Sequence, residues 1–551
     1  MKKYKLLFLA ILGGFLLFLA WPPLSFTFLL FVGFVPLLLI EDEISKKEAI
    51  VSNLKLFKYT YLFLFVWNSL TTWWVSYASI GGGIMSIVLN ALLLSLPILA
   101  FHITKKRLGY RLGYISLIIY WLAFEYIHHA WEFTYPWLTL GNGLSMQVKW
   151  IQWYEYTGTS GGSLWILMTN IFLFFGIKNF NNYKVLLQGN FSKKISLVLA
   201  NVLAYFLPFL LFVLPIIISK IMYSNIEVKQ GDIEVVVVQP NIDPYGKFND
   251  IPANEQLDKL INLSKQKLTQ QTVFLVWPET ALPHSIWLDN LDNSRSINTI
   301  KAFLEDYPNV TLIAGASAYL QYESKEEASN TARKFSDGSC CYDAFNTALQ
   351  IRGNKVINTY NKSKLVPGVE RIPYPSVFKF LDWLAIDMGG TTGSLGTQDT
   401  RTVFFNQDSI GIAPVICYES IFGDYVGGYI QNGAQLIFII TNDAWWDDTP
   451  GYKQHLYYGA LRAIEQRKTI ARSANTGVSC FINERGDISQ ATNFWEDAVI
   501  SAKISKNDTI TFYAQHGDYL GRLSIFMSVV LLLLGFVSFK TKGFTHRATK
   551  L

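Results

Sequence analysis

Apolar residues run for long stretches through the first 220 or so positions and once more near the C-terminus, with polar residues confined to short breaks. A helix needs about 20 residues to cross the hydrocarbon of a bilayer. Runs of that order fall at residues 5–20, 24–40, 57–77, 84–103, 114–129, 164–177, 195–222 and 520–539, which predicts about eight membrane spans, seven of them before residue 225. Between the seventh and the eighth the pattern changes to short β-rich apolar runs alternating with amphipathic ones, as in a layered α/β domain. Strands are predicted at 233–239, 273–277, 311–316, 347–351, 356–360, 410–416, 436–441, 469–472 and 479–482, and helices at 254–268, 296–305 and 454–467. The expected organisation is an N-terminal bundle over 1–224, a polar domain over 225–517, and a last span with its tail over 518–551.

Composition agrees with membrane residence. The 551 residues are 51% hydrophobic and only 16% charged, and the mean hydropathy is +0.24, too apolar for an ordinary soluble protein. The net charge of +6 is concentrated in alternate loops, so it argues for membrane orientation and against a nucleic-acid partner. Basic residues gather at the N-terminus, in the second loop (Lys46, Lys47, Lys55, Lys58), the fourth (Lys105, Lys106, Arg107, Arg111), the sixth (Lys178, Lys184, Lys193, Lys194) and the C-terminal tail (Lys540, Lys542, Arg547, Lys550). Lys and Arg are retained on the cytoplasmic side of short loops, which places the polar domain outside the cytoplasm. Lys2, Lys3 and Lys5 before the first run resemble the start of a signal peptide, but Trp21-Pro22-Pro23 replaces a small-residue cleavage site, and the run is expected to stay as a span. Trp67, Trp73, Trp74, Trp131, Trp137, Trp150 and Trp153 lie near span ends, where most are expected to form interfacial belts.

Four cysteines are too few and too irregular for a disulfide framework or a paired zinc site. Cys340 and Cys341 either bond to one another or stay reduced, and no required disulfide is expected. The seven histidines form no metal-binding spacing, so neither a metal nor another cofactor is implied. Glu125, His128 and His129, at the outer end of the fifth run, either meet a lipid headgroup or pair internally.

Three residues carry candidate chemistry, each just beyond a predicted strand. Cys417 ends the run Gly411-Ile412-Ala413-Pro414-Val415-Ile416, at a turn where a following helix N-terminus would lower the pKa of its thiol. Glu279 follows Trp277-Pro278, where desolvation suits a general base. Lys362 follows 356–360 and offers an ammonium to an oxyanion. Taken singly, each has a plainer reading: a core thiol, a surface carboxylate, a solvated cation. Cys480 has only the plain one.

Together the three motifs resemble the Glu-Lys-Cys triad of the nitrilase, or carbon-nitrogen hydrolase, superfamily, in the same order and with similar spacing. Local matches extend from Val237-Val238-Gln239-Pro240-Asn241 through 342–347, which includes Asn346, to Thr441-Asn442-Asp443-Ala444-Trp445-Trp446, Arg462-Ala463-Ile464-Glu465 and 472–477. The bundle before this domain and the span after it, with Tyr135-Pro136-Trp137-Leu138-Thr139-Leu140-Gly141, are similar to the membrane branch of that superfamily, the apolipoprotein N-acyltransferases. The resemblance implies an α-β-β-α sandwich joined to the helical bundle, with Glu279, Lys362 and Cys417 catalytic and Glu370, Tyr418 and Glu419 supporting. Leu365-Val366-Pro367-Gly368-Val369-Glu370 departs from the family's usual Phe-Gly before the glutamate, so a different turn is expected there. Arg462 and Glu465, at i,i+3, are expected to be a structural pair.

The implied activity is transfer of a fatty acyl chain from a phosphatidylethanolamine-like phospholipid, through a Cys417 thioester, to the N-terminal amine of a diacylated apolipoprotein. Its implied place is the inner membrane with the catalytic domain on the periplasmic face, and a monomer is the default. Two other readings stay open at this level. A membrane-tethered amidase or nitrilase would use the same triad on a small carbon-nitrogen substrate, and a transporter with a non-catalytic outer domain would need paired charges inside its spans.

Overall fold

The computed structural model describes residues 2–46, 49–186, 191–248, 250–337, 340–374 and 394–548. Of the basic residues used above, Lys47 and Lys550 lie outside the described residues, as do the side chains of Lys184, Lys193, Lys194, Lys540, Lys542 and Arg547.

Long helices form at Lys2–Ala20, Ala49–Thr72, Ile80–Leu108, Tyr110–Ala130, Tyr154–Leu186, Phe191–Asn225 and Tyr519–Ala548. Among the described residues, five stretches are long and apolar enough to cross a membrane: Lys3–Ala20, Ile80–Leu108, Tyr154–Lys178, Phe206–Asn225 and Tyr519–Ser538. That is fewer than the eight expected, and the reasons are local. The second run does not form one helix, because a 3-10 turn at Thr27–Phe31 precedes the eleven-residue helix Val35–Ser45, which carries Glu41, Asp42 and Glu43. Ala49–Thr72 and Tyr110–Ala130 are long but more polar, holding Lys55, Lys58 and Asn68 in one and Arg111, Glu125 and His128 in the other. Glu41 is fully buried and accepts from His102 Nδ1 at 2.7 Å and from the Lys105 ammonium. This ionic cluster sits near helix C-terminal ends, close to Ser45 and Leu108, rather than at mid-helix as a transport path would require.

The polar domain is built on two sheets. The larger has the order β14-β1-β2-β4-β6-β5, with β3 paired to β4 and β7 to β6, where β1 is Ile233–Gln239, β2 Thr272–Val276, β3 Leu282–Trp287, β4 Thr311–Tyr322, β5 Arg333–Lys334, β6 Cys341–Arg352, β7 Lys355–Asn361 and β14 Ala498–Ile504. The smaller runs β13-β12-β11-β10-β9-β8, with β8 Phe404–Phe405, β9 Gly411–Ile416, β10 Leu436–Thr441, β11 Ile470–Ala474, β12 Cys480–Ile482 and β13 Ile488–Ser489. The central strands pair in parallel, β1 with β2 and β10 with both β9 and β11. Such strands are covered on both faces, which is why they read as continuous apolar runs.

Alternation along β1 shows how the layers form. Val235 and Val237 join the core between the sheets, while Val236 and Val238 pack with Leu260 of helix Ala253–Lys265 and Ile300 of helix Arg295–Glu305. Phe274 meets Phe438 edge to face across the sheets, with centroids 5.4 Å apart. Helices Gly423–Gln431 and Pro450–Gln466 complete the layers beside the smaller sheet, giving the expected α-β-β-α arrangement. All nine predicted strands are present, several longer than expected; β3, β5, β8, β13, β14 and helix Gly423–Gln431 are additional.

The helix Pro450–Gln466 also seats the domain on the bundle. Trp137 donates from Nε1 to Gln454 Oε1 at 2.6 Å, Trp21 donates to the Tyr458 hydroxyl at 3.0 Å, and that hydroxyl donates to the Trp137 carbonyl at 2.9 Å. Trp67, Trp74 and Trp137 are therefore buried structural residues rather than members of an interfacial belt, whereas Trp73 is exposed. Trp74 Nε1 donates to the Thr71 carbonyl at 3.0 Å, and the large rings of Trp67, Trp74 and Trp137 are used in packing, where an aromatic side chain contributes most. Cys340 and Cys341 are bonded to each other.

Candidate active site

Glu279, Lys362 and Cys417 lie beyond the C-terminal ends of β2, β7 and β9 and are all buried, at 6%, 1% and 8% exposure. They share the wall of a cavity of about 630 Å³. The turn after Glu279 is tight, with Thr280 at φ +48°, and it passes so close to β4 that a Cβ on Gly315 would lie 2.6 Å from Glu279 Cα. Only glycine fits there.

The Lys362 ammonium donates to Glu279 Oε1 at 3.2 Å and to Glu370 Oε1 at 2.9 Å. Burial alone would strip its proton, but Glu279, Glu370 and Cys417 together hold its pKa well above the usual lysine value. Asn346 on β6 bridges the same two carboxylates, donating from Nδ2 to Glu279 at 2.7 Å and to Glu370 at 3.1 Å. The other oxygen of Glu279 accepts from the Asn442 backbone N–H at 2.9 Å. Every oxygen of the Glu279 carboxylate is thus directed, as placement of a buried charge requires.

Cys417 has φ +48°, a left-handed conformation for a non-glycine residue. Its thiol departs from expectation. Rather than being lowered by a helix N-terminus, its pKa is pushed far above the usual value by burial first and then by the Glu279 charge, with Lys362 opposing. The segment Cys417–Ile421 is a single 3-10 turn, too short for an appreciable dipole to offset desolvation. The free site therefore holds a protonated thiol.

The supporting residues separate into two groups. Glu370 pairs with Lys362, while Arg371 goes to Glu132 at 2.7 Å and Lys364 donates to the His129 carbonyl at 3.4 Å. Gly368, at φ +81°, makes the altered turn that returns Glu370 to the lysine. Tyr418 lines the cavity and donates to the Thr134 carbonyl at 3.1 Å, joining the segment after Cys417 to the bundle. Glu419 does not line the cavity. It is fully buried and accepts from Tyr360 Oη at 2.6 Å, Ser363 N at 2.8 Å and Ile416 N at 2.9 Å, so it clamps the chain after Lys362 to the end of β9. Burial raises its pKa.

Other residues emerge only from the fold. Lys247 is fully buried, donates to Thr280 Oγ1 at 3.2 Å, and has its pKa drawn down to about 7 by burial, with Glu279 opposing. Asp443 accepts from Arg472 at 2.6 Å and from His455 Nδ1 at 2.9 Å. Burial would raise its pKa, yet Arg472 and His455 hold it down to about 2. A carboxyl with a depressed folded pKa contributes stability above its unfolded value, here near 3.8, and loses it as pH falls through the folded value. Asp443→Asn should therefore cost about 2 kcal/mol at neutral pH and remove the part of the wild-type stability loss that develops between about pH 4 and 2; urea melts across that window check it.

The Asp443 and His455 atoms lie within 4.8 Å of the Cys417 sulfur and of each other, but their nitrogens and oxygens are already engaged in hydrogen bonds. Glu125 and His128 pair internally, with Trp121 and the Leu140 N–H on the glutamate and with Asn90 and Trp131 on the histidine. His129 contacts the Thr139 hydroxyl at 3.0 Å. Arg462 and Glu465 form the expected buried pair at 2.8 Å, and Cys480 is an inert core thiol of β12.

Apolar residues of a long helix complete the lining: Gly82, Met85, Leu89 and Leu93 of Ile80–Leu108, a candidate span, share the cavity with the triad.

Comparison with known proteins agrees with this division. Residues 13–172 match the apolipoprotein N-acyltransferase N-terminal domain, and residues 234–513, a little over half of the chain, match the carbon-nitrogen hydrolase domain. The apolipoprotein N-acyltransferase of Chlorobaculum tepidum is 28% identical over 545 residues, spanning 97% of each chain. That of Geobacter metallireducens is 25% identical over 547 residues, covering 98% of this chain and 96% of its own. Among solved structures, an amidase from Nesterenkonia sp. aligns with 53% of this chain and 96% of its own at 14% identity and a TM-score of 0.34. With its two-sheet domain matched from β1 to beyond β14, and an apolipoprotein N-acyltransferase N-terminal domain matched in front, the chain belongs to the carbon-nitrogen hydrolase family.

Proposed function

We propose that this protein is an apolipoprotein N-acyltransferase that moves a fatty acyl chain from a membrane phospholipid to the N-terminal amine of a lipoprotein. The observation that carries the reading is the cavity, which a buried thiol, carboxylate and ammonium line together with apolar residues of helix Ile80–Leu108. A small carbon-nitrogen substrate has no use for that apolar lining.

In the first half-reaction Glu279 takes the proton of Cys417, and the sulfur attacks the ester carbonyl of the donor. Because burial holds the thiol protonated, transfer to Glu279 and attack are coupled. Lys362 neutralises the oxyanion, with backbone N–H groups, and Glu370 and Asn346 keep the ammonium in place. The carbon-oxygen bond breaks, the glyceryl oxygen takes up the proton, and a lysophospholipid leaves a thioester on Cys417. The amine of the diacylglyceryl-cysteine then attacks the thioester, its proton passes to Glu279, and the thiol is restored as the amide forms. Phosphatidylethanolamine is the proposed donor.

The proposed arrangement has about eight membrane crossings, with 1–224 as the bundle, 225–517 as the catalytic domain on the periplasmic side of the inner membrane, and 518–551 as the last span and cytoplasmic tail. Alternation of basic loops supports this orientation.

Incubation of the purified protein with phospholipid alone should leave an acyl adduct on Cys417 that hydroxylamine removes, and a diacylated lipopeptide should then discharge it. Acyl transfer without any hydroxylamine-sensitive adduct would exclude the thioester route. Hydrolysis of small amides with no lipid transfer would favour the amidase reading instead.

A further inference from the structure

A second set of polar side chains lies behind the nucleophile, on the side of His455, and the reaction as written does not use it. Ser420 and His455 both reach the Cys417 carbonyl: Ser420 Oγ donates to it at 2.7 Å, and His455 Nε2 lies 3.2 Å from the same oxygen and 2.9 Å from Ser420 Oγ. On its other edge His455 Nδ1 is 2.9 Å from Asp443 Oδ1, and Asp443 in turn holds Arg472 at 2.6 Å. The rings of Trp137 and Trp446 pack against the imidazole, with centroids at 6.0 and 5.7 Å. Arg462, two turns further along the same helix, is neutralised by Glu465. The charged and titratable groups facing the ring are therefore Asp443, Arg472 and the Cys417 thiol.

Hydrogen-bond bookkeeping constrains the ring. Nδ1 faces a carboxylate, which only accepts, and the low pKa of Asp443 keeps it so. Nε2 faces a carbonyl oxygen, which also only accepts, and the single Ser420 proton is already directed to that oxygen. A ring with one N–H leaves two lone pairs opposed on one edge or the other; a ring that donates from both nitrogens satisfies every contact except the Arg472 approach at 3.2 Å, which Asp443 bridges. The carbonyl so held belongs to the residue at φ +48°, and such a conformation persists only where its surroundings over-determine it.

We propose that His455, oriented by Asp443 and Arg472, is a positioning residue that donates from both ring nitrogens, locking the strained backbone of Cys417 and placing a positive charge behind the sulfur as the thiolate forms. This rests on Cys417 being the nucleophile. Lys362 and Glu279 act on the cavity side of the thiol; His455, which does not line the cavity, would act from behind, where one of its ring nitrogens lies within 4.8 Å of the sulfur. It touches no substrate atom and moves no proton in the transfer.

The test uses full-length protein in detergent. The rate of Cys417 alkylation by iodoacetamide is followed from about pH 7 to 9 by the mass of the peptide that carries it, alongside loading from phospholipid. His455→Gln, which keeps a donor but not the charge, should lower the alkylation rate by roughly tenfold or more at every pH in that range and slow loading by about tenfold or more. A folded His455→Gln protein with unchanged alkylation rates and unchanged loading would overturn the proposal. Should that variant not fold, wild-type protein labelled with 15N-histidine and 13C-carbonyl cysteine answers the question by solid-state NMR. The ring nitrogen coupled to a cysteine carbonyl should carry a proton at pH 7, as should its ring partner; a bare nitrogen in that ring, or no such coupling, overturns the proposal. Loading that survives Cys417→Ala would instead remove the nucleophile assignment on which it rests.

Discussion

Cys417→Ala will abolish both half-reactions, lowering acyl transfer by at least about 10³-fold, while Cys480→Ala will leave activity within about twofold. Both thiols are buried, Cys417 just beyond β9 and Cys480 within β12 of the same sheet, so burial does not distinguish them. What does is company. Cys417 opens on the cavity beside Glu279 and Lys362, whereas Cys480 lies within β12 and is fully enclosed. Removing one sulfur atom from either site costs little packing, so both variants should fold, and near-equal losses in two folded proteins would sink the choice of nucleophile. The measurement is transfer of a labelled acyl chain from phospholipid to a diacylated lipopeptide, with thermal melts as the control for folding.

Glu279→Gln and Lys362→Met should each fail to load the enzyme, for different reasons, and the difference is measurable. Glutamine keeps the size of Glu279 but has one acceptor oxygen, so while that oxygen accepts from Asn346 and Lys362 its amide nitrogen faces the Asn442 N–H, and it cannot take the thiol proton. Since burial holds the Cys417 pKa high, no useful thiolate exists without that base, and loading should fall by roughly 10²–10⁴-fold, with about 1–2 kcal/mol lost from the unsatisfied N–H. Lys362→Met removes the cation between Glu279 and Glu370, leaving two buried carboxylates opposed. Loading should fall by roughly 10²–10³-fold from the lost oxyanion partner, and stability should fall by about 3–5 kcal/mol from the broken buried pair. Urea melts at pH 7 separate the two, with the larger destabilisation expected in the lysine variant. Equal stability of both variants would mean that the carboxylates are protonated or hydrated once the ammonium is gone.

Features that repeat locally can be read from the chain alone. Apolar runs marked the long helices, because a helix in lipid must satisfy its backbone internally and present apolar side chains all round. Continuous apolar runs marked β1, β2, β9 and β10, because parallel strands are covered on both faces. Motif order placed Glu279, Lys362 and Cys417 at strand ends, although 83 residues separate the first two. The limits of this reading are equally local. β14 escaped it because an edge strand of half-buried residues carries little apolar signal, and it joins β1 only once the domain has closed. The second apolar run looked continuous, yet it breaks into a 3-10 turn and a short acidic helix.

Which polar residues are enclosed, and with what partners, is set by the packing of distant segments. Nothing in the neighbourhood of Lys247 or His455 along the chain marks them, and around Asn346 there is only a family match with no role attached; each matters because a distant segment delivers Thr280, Cys417 or Glu279 to it. The same holds for Trp137, whose place at a span end suggested an interface with lipid until Gln454 and Tyr458 were brought against it from 317 and 321 residues away. For the thiol, local pattern pointed to a lowered pKa, and enclosure reversed the sign. Desolvation depends on everything packed around a group, and that sum is settled only when the two sheets and the bundle meet.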